Sequence, residues 1–505
     1  MRNIVIRRNV LLPAILVLGL ILRLYKIGLE SLWFDEVGVV DRATRGVFEF
    51  LFGEHIGVSY RLILNFWMKF FGISEISIRL PSVFFAVGSL MLTYKIGAFL
   101  FSKKVGLYSA FLLAISPFHI FYSQDATNYS LSSFLILSSM WFFFKILSRT
   151  NNKYDLIGYS IVSILALYSN LLSVIVIFLQ NAFFLIKRPF SLRKWIKCQL
   201  SILIVSLLYF IPLGYFYFFK QSDFFKIRIN WIPVFSMQYL LDLFKTYCYG
   251  GSGFGLEIFP EWIVFVLCCL QGGAFILGIL STKKRFYIIV LAVWIIFPVL
   301  VISFFSIFVI PLFVIRYFIF ALPAFYIIVA LGISRLKRKF IQGCVLWAIS
   351  VLMIIPLNAY FSKNKKVCWE KIIYYVNTHI NEQNDIIMLT QAQDVQMWGY
   401  YGKTGAKYIK DVCQWNSIIR EDINTMRGGH IYYDGENMIV GISNFSQVEK
   451  LISEKFVKEG KNIWIILSHW PCCSEKIEAY LNQFYIKTMG KEFNKRKLMY
   501  YKLRQ

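Results

Sequence analysis

Charge is scarce in this chain, and negative charge scarcer still. Only 16% of its 505 residues are charged, and 28 acidic residues stand against 54 basic ones. Soluble domains carry about 25% charge, so an aqueous surface over most of the chain is excluded. Histidine is nearly missing, at five residues, and none of the nine cysteines has zinc-ligand spacing from one. There is no Gly-rich phosphate loop, no internal repeat and no low-complexity tract. The net charge of +26 does not read as a nucleic-acid surface. Much of it lies in short loops between apolar runs, where it sets membrane topology and attracts anionic head groups.

What the chain has instead is apolar length. It is 58% hydrophobic and 18% aromatic, with 49 Phe and 30 Tyr. At ~20 apolar residues per crossing, the runs predict about eleven membrane spans. They lie near 10–27, 77–100, 105–121, 126–148, 155–169, 170–187, 196–219, 260–281, 286–308, 317–334 and 340–360. The first is too long for a signal-peptide core and lacks a cleavage site, which predicts that it is retained. Basic residues mark alternate loops: Lys103-Lys104, Arg149 with Lys153, Lys187-Arg188, Lys283-Lys284-Arg285 and Arg335 to Lys339. That alternation, with Arg2, Arg7 and Arg8, predicts a cytoplasmic N-terminus and, after an odd number of spans, an external C-terminal region.

Two long external segments follow from this topology, 28–76 and 220–259. In the first, Arg61, Asn65 and Lys69 recur every four residues on an otherwise apolar helix, a polar stripe suited to the membrane interface, with an ordinary packed helix as the alternative. The second, with Trp231 and a Gly250-Gly251-Ser252-Gly253 turn, is long enough for a mobile flap. From 362 the composition changes, and 362–505 reads as a small α/β domain. Its expected strands are 385–390 and 463–468, and its expected helices 367–380 and 446–458. Cys198, Cys268, Cys269 and Cys344 lie in or beside spans, and Cys368, Cys413, Cys472 and Cys473 in the C-terminal region. Most read as small apolar filler.

Few residues are left to carry chemistry. Asp35-Glu36, in Ser31-Leu32-Trp33-Phe34-Asp35-Glu36, lie just outside the first span. Acidic groups at a membrane surface are costly to dehydrate and mark a functional site; the alternative for Asp35 is a helix N-cap. Asp125 sits in the short external turn before the fourth span, on the same side, and an N-cap is the alternative there too. Arg79 and Arg316-Tyr317 stand at the outer mouths of the second and tenth spans. Each arginine is either an interface anchor or half of a fork for phosphate. Glu54-His55 offer a metal pair or a phosphate contact, and a lone Glu-His pair is a weak metal signal.

These residues occur in an order that resembles a known family. Asp35-Glu36 is followed by Glu54-His55, then by Phe71-Gly72-Ile73-Ser74-Glu75 running into Ile78-Arg79-Leu80-Pro81-Ser82. Ala114-Ile115-Ser116-Pro117-Phe118-His119 and Tyr122-Ser123-Gln124-Asp125-Ala126 come next, and Arg316-Tyr317 leads to Leu322-Pro323-Ala324. The pattern is similar to the bacterial family 39 glycosyltransferases of the GT-C superfamily, relatives of protein O-mannosyltransferases and lipid A aminoarabinose transferases. The resemblance covers 33–335, and 362–505 looks like the external domain of many bacterial members. It departs in two places. His55 is followed by Ile56-Gly57 rather than Pro-Pro, and Thr127 stands where members often have Arg. Both departures put donor contacts in question and are consistent with an unusual donor or acceptor, or reduced activity.

The resemblance implies a polytopic all-α membrane domain of GT-C type (1–361) with a small extracytoplasmic α/β domain (362–505). It implies an inverting transferase in the cytoplasmic membrane. A sugar would pass from a polyprenyl-phosphate donor to lipid A, a protein or a surface glycan at the outer face. Asp35 would be the general base, Asp125 would orient a substrate and Glu36 would support them. His55, Arg79, Tyr129, Arg316 and Tyr317 would hold the donor phosphate. No cofactor is required, a divalent metal at Glu54 and His55 is allowed, and nucleic acid is not a partner. The other readings are a lipid-linked sugar flippase or transporter, an oligosaccharyl transferase or polymerase of the same superfamily, and an inactive lipid-binding member.

Overall fold

A computed structural model describes residues 2–44, 57–148, 152–215, 232–250, 260–362, 369–381, 384–389, 394–401, 430–434, 437–441, 452–468, 471–493 and 496–504. Glu54, His55, Trp231, the Gly251-Ser252-Gly253 turn, Cys368 and Cys413 lie outside the described residues, as do the side chains of Cys472 and Cys473. The chain forms two compact units. One comprises Met1–Ile27, Gly46–Phe70 and Ile76–Lys363; the other comprises Gly28–Arg45, Phe71–Glu75 and Asn364–Gln505.

In the first unit the long apolar runs are helical among the described residues. The helices are α1 (Arg2–Leu24), α4 (Glu75–Leu100), α5 (Lys103–Ala114), α6 (Pro117–Ser123), α7 (Tyr129–Leu147), α8 (Lys153–Ser169), α9 (Ser173–Lys187), α10 (Leu192–Tyr215), α12 (Glu261–Leu280), α13 (Arg285–Phe308), α14 (Leu322–Arg335) and α15 (Lys339–Ser362). Among the described residues, seven helices are long and apolar enough to cross a membrane. The pair α5–α6, bent by 64°, passes the same test only when its two helices are taken together, as a broken span or a re-entrant loop, and Val10–Leu24 and Ser173–Lys187 are shorter apolar helices. Pro117 explains the bend, because it lacks the N–H that would continue the ladder.

The centre of this unit is the 315–335 stretch, whose most apolar 18 residues are 89% buried, against 33% for those of Arg285–Phe308. Close approach comes from small residues. A Cβ on Gly332 would lie 1.8 Å from the Ala274 carbonyl oxygen, and one on Gly278 2.2 Å from that of Ile328, so α12 and α14 pack backbone to backbone. Polar side chains join α7, α8 and α9. The Gln180 amide donates to Ser139 Oγ at 2.9 Å and accepts from the Tyr159 hydroxyl at 2.9 Å. In lipid such groups have no water to turn to, so they find one another.

Helix α3 (Val58–Phe71) corrects the expected polar stripe. Arg61 is buried, Asn65 half-buried, and only Lys69 exposed. The outward stripe is instead apolar, with Leu62, Phe66 and Phe70 at 42%, 65% and 67% exposure. A helix bounded by lipid turns its hydrocarbon outward and its charge toward protein. Helix α11 (Gln238–Tyr249) lies in the segment expected to form a flap. Its Tyr247 hydroxyl donates to the Phe318 carbonyl at 2.6 Å.

The second unit contains a six-stranded mixed sheet, ordered β2-β3-β1-β4-β6-β5. Its strands are β1 (Asp385–Leu389), β2 (His430–Asp434), β3 (Asn437–Gly441), β4 (Asn462–Ser468), β5 (Tyr485–Phe493) and β6 (Arg496–Leu503). Strand β1 runs parallel to β3 and β4, and the other pairs are antiparallel. The all-apolar run Ile386 to Leu389 is what a strand covered on both faces requires. On one face Ile386, Met388, Ile463, Ile465 and Met499 pack with Ile452, Phe456, Ile477 and Leu481. Helices α16 (Trp369–His379), α17 (Asp394–Tyr401) and α18 (Pro471–Phe484) complete the α/β layers. Helix α2 (Phe34–Thr44), which carries the acidic pair, packs against α17 in this same unit.

Candidate active site

In the first unit, the turn bearing Asp125 is held by groups buried beneath it. Arg23, fully buried in α1, donates to the carbonyls of Ala114 (3.1 Å) and Leu113 (3.2 Å) and to His119 Nδ1 (2.7 Å). Helices end with unsatisfied carbonyls and a partial negative charge. A guanidinium at the end of α5 satisfies both and fixes the bend. Because guanidinium has no acceptor, His119 Nδ1 accepts and its proton sits on Nε2. Beside Asp125, the Gln124 amide donates to the carbonyls of Arg23 (2.9 Å) and Tyr25 (2.8 Å) and accepts from the Tyr360 hydroxyl (2.6 Å). Helices α1, α6 and α15 are thus tied at the residue before Asp125.

Asp125 itself is 1% exposed. Four residues on, Tyr129 opens α7, and the Arg316 guanidinium lies 5.7 Å from its ring centroid. Arg316 and Tyr317 are half-buried in the 3₁₀ turn Ile315–Ala321, which packs on α7. Arg79, buried in α4, donates to the Ile27 carbonyl at 2.7 Å, beyond the end of α1. Thr127, in the family's arginine position, is buried, and its backbone carbonyl accepts from Ser82 Oγ at 3.4 Å.

In the second unit, Asp35 and Glu36 are the second and third residues of α2. Glu36 is fully buried and accepts the Trp33 N–H at 3.1 Å, the return half of a capping box. The N-cap position is Trp33, so Asp35 is not the cap; it lies half-buried in the first turn. Leu32, just before, donates its N–H to the Tyr401 hydroxyl at 2.7 Å.

The structure therefore brings Tyr129 and Arg316 together, seats Asp125 in a braced turn, and places Asp35 and Glu36 at the head of one helix. Sequence reading missed Arg23, His119, Gln124 and Tyr401 as supports. Arg23 was visible only as a charge near the outer end of a span, where an arginine ordinarily reaches the interface. Among the described residues no group of three or more His, Cys, Asp or Glu could hold a metal ion.

These features define a polytopic helical membrane protein with a bent helix pair in one unit and an α/β sheet in the other. Residues 58–216 match the family described as dolichyl-phosphate-mannose-protein mannosyltransferase. The matched stretch contains Arg79, Asp125 and Tyr129. No curated protein matches the chain in sequence. Among solved structures, the fold is similar to ArnT from Cupriavidus metallidurans in the apo state, with TM-score 0.61, 9% identity and 97% of each chain covered. The same protein bound to undecaprenyl phosphate gives 0.59, 12% identity, and coverage of 96% of this chain and 97% of that one. The Archaeoglobus fulgidus oligosaccharyltransferase in the apo form gives 0.51, 12% identity, and coverage of 99% and 74%. The resemblance read from the sequence is borne out as a likeness: residues 58–216 match the protein mannosyltransferase family and the fold is similar to that of ArnT.

Proposed function

We propose that the chain transfers a sugar from a polyprenyl-phosphate donor to an acceptor at the outer face of the cytoplasmic membrane, with inversion at the anomeric carbon. The observation that carries this reading is the Arg316 guanidinium over Tyr129, at the N-terminus of α7 and on the turn of buried Asp125. Guanidinium and a helix N-terminus both favour a phosphate oxygen. That ArnT binds undecaprenyl phosphate supports the same donor chemistry.

The residues take the following roles. Arg316, with Arg79 and Tyr317, holds the donor phosphate, and Asp125 orients a substrate. Asp35 removes the acceptor's hydroxyl proton as the acceptor oxygen bonds to the anomeric carbon. The bond from that carbon to the phosphate oxygen breaks, and the polyprenyl phosphate leaves with the electron pair. The cations stabilise that anion, so no acid need protonate it. Glu36 holds the first turn of α2. His55 and Glu54 remain candidates for a donor or metal contact. The donor chain lies in lipid, and the acceptor, whether lipid, protein or glycan, arrives from water.

The test is purified protein in lipid with a polyprenyl-phosphate sugar, scoring released polyprenyl phosphate and glycosylated acceptor. Asp35→Asn keeps size but cannot take a proton, and loss of a general base costs ~10²–10⁴-fold in rate. Turnover should collapse while donor binding holds. Normal turnover would remove Asp35 as base. Activity confined to a pyrophosphate-linked oligosaccharide would replace the reading with oligosaccharyl transfer.

A further inference from the structure

The second unit contains an arrangement that no assigned role uses. Helix α17 is anchored in the α/β domain by Met397 and Trp398, each 1% exposed, and it packs on α16 and β3. Its last two residues engage the external segments instead. Tyr400 donates its hydroxyl to the Ile73 carbonyl. The Tyr401 hydroxyl accepts the Leu32 N–H at 2.7 Å and donates to Glu75 Oε1 at 3.0 Å. One oxygen thus joins the residue three before Asp35 to the first residue of α4, the helix that carries Arg79 one turn on.

We infer that the C-terminal domain is part of the catalytic machinery, with Tyr401 a positioning residue that fixes the entry to α2 and so the direction of Asp35. This deepens the proposed function and rests on Asp35 acting as the base.

Three observations support a built joint rather than a passing contact. Both capacities of the hydroxyl are used, by one donor and one acceptor. Glu36, by taking the Trp33 N–H, fixes the adjoining residue, so Leu32 and Trp33 are tied in succession and the first turn of α2 has little freedom. Burial, with the charge of Glu75 beside it, pushes the Tyr401 phenol far above the ordinary tyrosine range, so it remains a donor at every physiological pH. A general base must lie within hydrogen-bond reach of its proton, and a shift of about 1 Å in such a group can cost ~100-fold. A hydroxyl that sets the start of its helix therefore controls rate without touching substrate.

The experiment uses the full chain in lipid nanodiscs. Tyr401→Phe removes one oxygen and keeps the ring. Hydrogen exchange over 29–44 should rise, and turnover should fall about 10-fold, with KM for a polyprenyl-phosphate sugar unchanged. In an Asp35→Asn background the same change should cost nothing further, because the base it positions is already gone. Glu75→Gln retains an acceptor for the Tyr401 hydroxyl and should stay close to normal. Unchanged exchange in Tyr401→Phe would overturn the joint. Raised exchange with losses that multiply in the double variant would overturn positioning of Asp35 in favour of a general structural role. Normal turnover in Asp35→Asn alone would remove the base assignment and with it the catalytic half of the inference, and the exchange result would then report on the joint by itself.

Discussion

Replacing Arg23 with Met keeps much of the side chain's length and removes its charge and donors. Four bonds disappear, to Gly19, Leu113, Ala114 and His119. They do not count equally. The Leu113 carbonyl keeps the Ser116 N–H at 3.4 Å, and the Gly19 carbonyl lies within the α1 ladder. The Ala114 carbonyl and His119 Nδ1 lose their buried partner. Each costs about 1–3 kcal/mol when left bare, so roughly 2–6 kcal/mol is lost. Against this, an uncompensated cost of several kcal/mol for burying a guanidinium disappears. The two nearly cancel, and the net change in global stability should be about 2 kcal/mol or less. The local consequence does not cancel, because the bend between α5 and α6 loses its clamp and Asp125 lies just beyond it. Turnover should therefore fall about 10–100-fold at nearly unchanged thermal stability. Arg23→Lys should fall between, since one ammonium cannot reach the acceptors a planar fork reaches. The assay pairs turnover in nanodiscs with hydrogen exchange over 113–125. Normal turnover and unchanged exchange in Arg23→Met would refute the clamp.

Other expectations follow from the same geometry. Arg316→Ala should weaken binding of a polyprenyl-phosphate sugar about 10–100-fold, the worth of a charged hydrogen bond, measured by donor titration in nanodiscs. Asp385, which accepts from Asn381, Asn462, Trp464 and Tyr500 at 2.9–3.0 Å, should not tolerate Leu, which leaves those neutral donors bare at about 1–3 kcal/mol for each that stays buried; the loss is read as earlier unfolding of 369–504 by exchange. Burial raises the phenols of Tyr500 and Tyr501, the latter to about 12. Their stabilisation is complete below the unfolded tyrosine value of about 10 and declines as pH rises above it, so alkaline melting of this unit should begin there. In a cysteine-free background, a single Cys at Glu459 should react with a membrane-impermeant reagent in intact cells and one at Lys283 should not. The reverse would invert the topology.

The helices were legible because span-length apolar runs leave a chain few alternatives, and the resemblance was legible because Arg79, Pro117, Asp125 and Arg316 stand in short motifs at the ends of those runs. Strands β1 and β4 showed as unbroken apolar runs. Strands β5 and β6 did not, because β5 is exposed along most of its length, Ile486, Lys487 and Thr488 included, and β6 mixes charged with buried positions. The stripe of Arg61, Asn65 and Lys69 misled because spacing gives a helix face but not which way it turns.

The sequence by itself determined the membrane class, the helical runs, the α/β character of the C-terminal region and the candidate acidic and basic residues. These follow from local chemistry: hydrocarbon length, charge placement and short motifs. Only the tertiary structure decided what the buried polar groups do. It turned Arg23 inward to end α5, tied Gln124 at the end of α6 to α1 and α15, and brought Tyr401 to Leu32 across 369 residues of chain. A hydrogen bond of that range is chosen by packing, because a buried donor must find whatever acceptor the folded chain delivers to it, and no spacing along the sequence records which one that is.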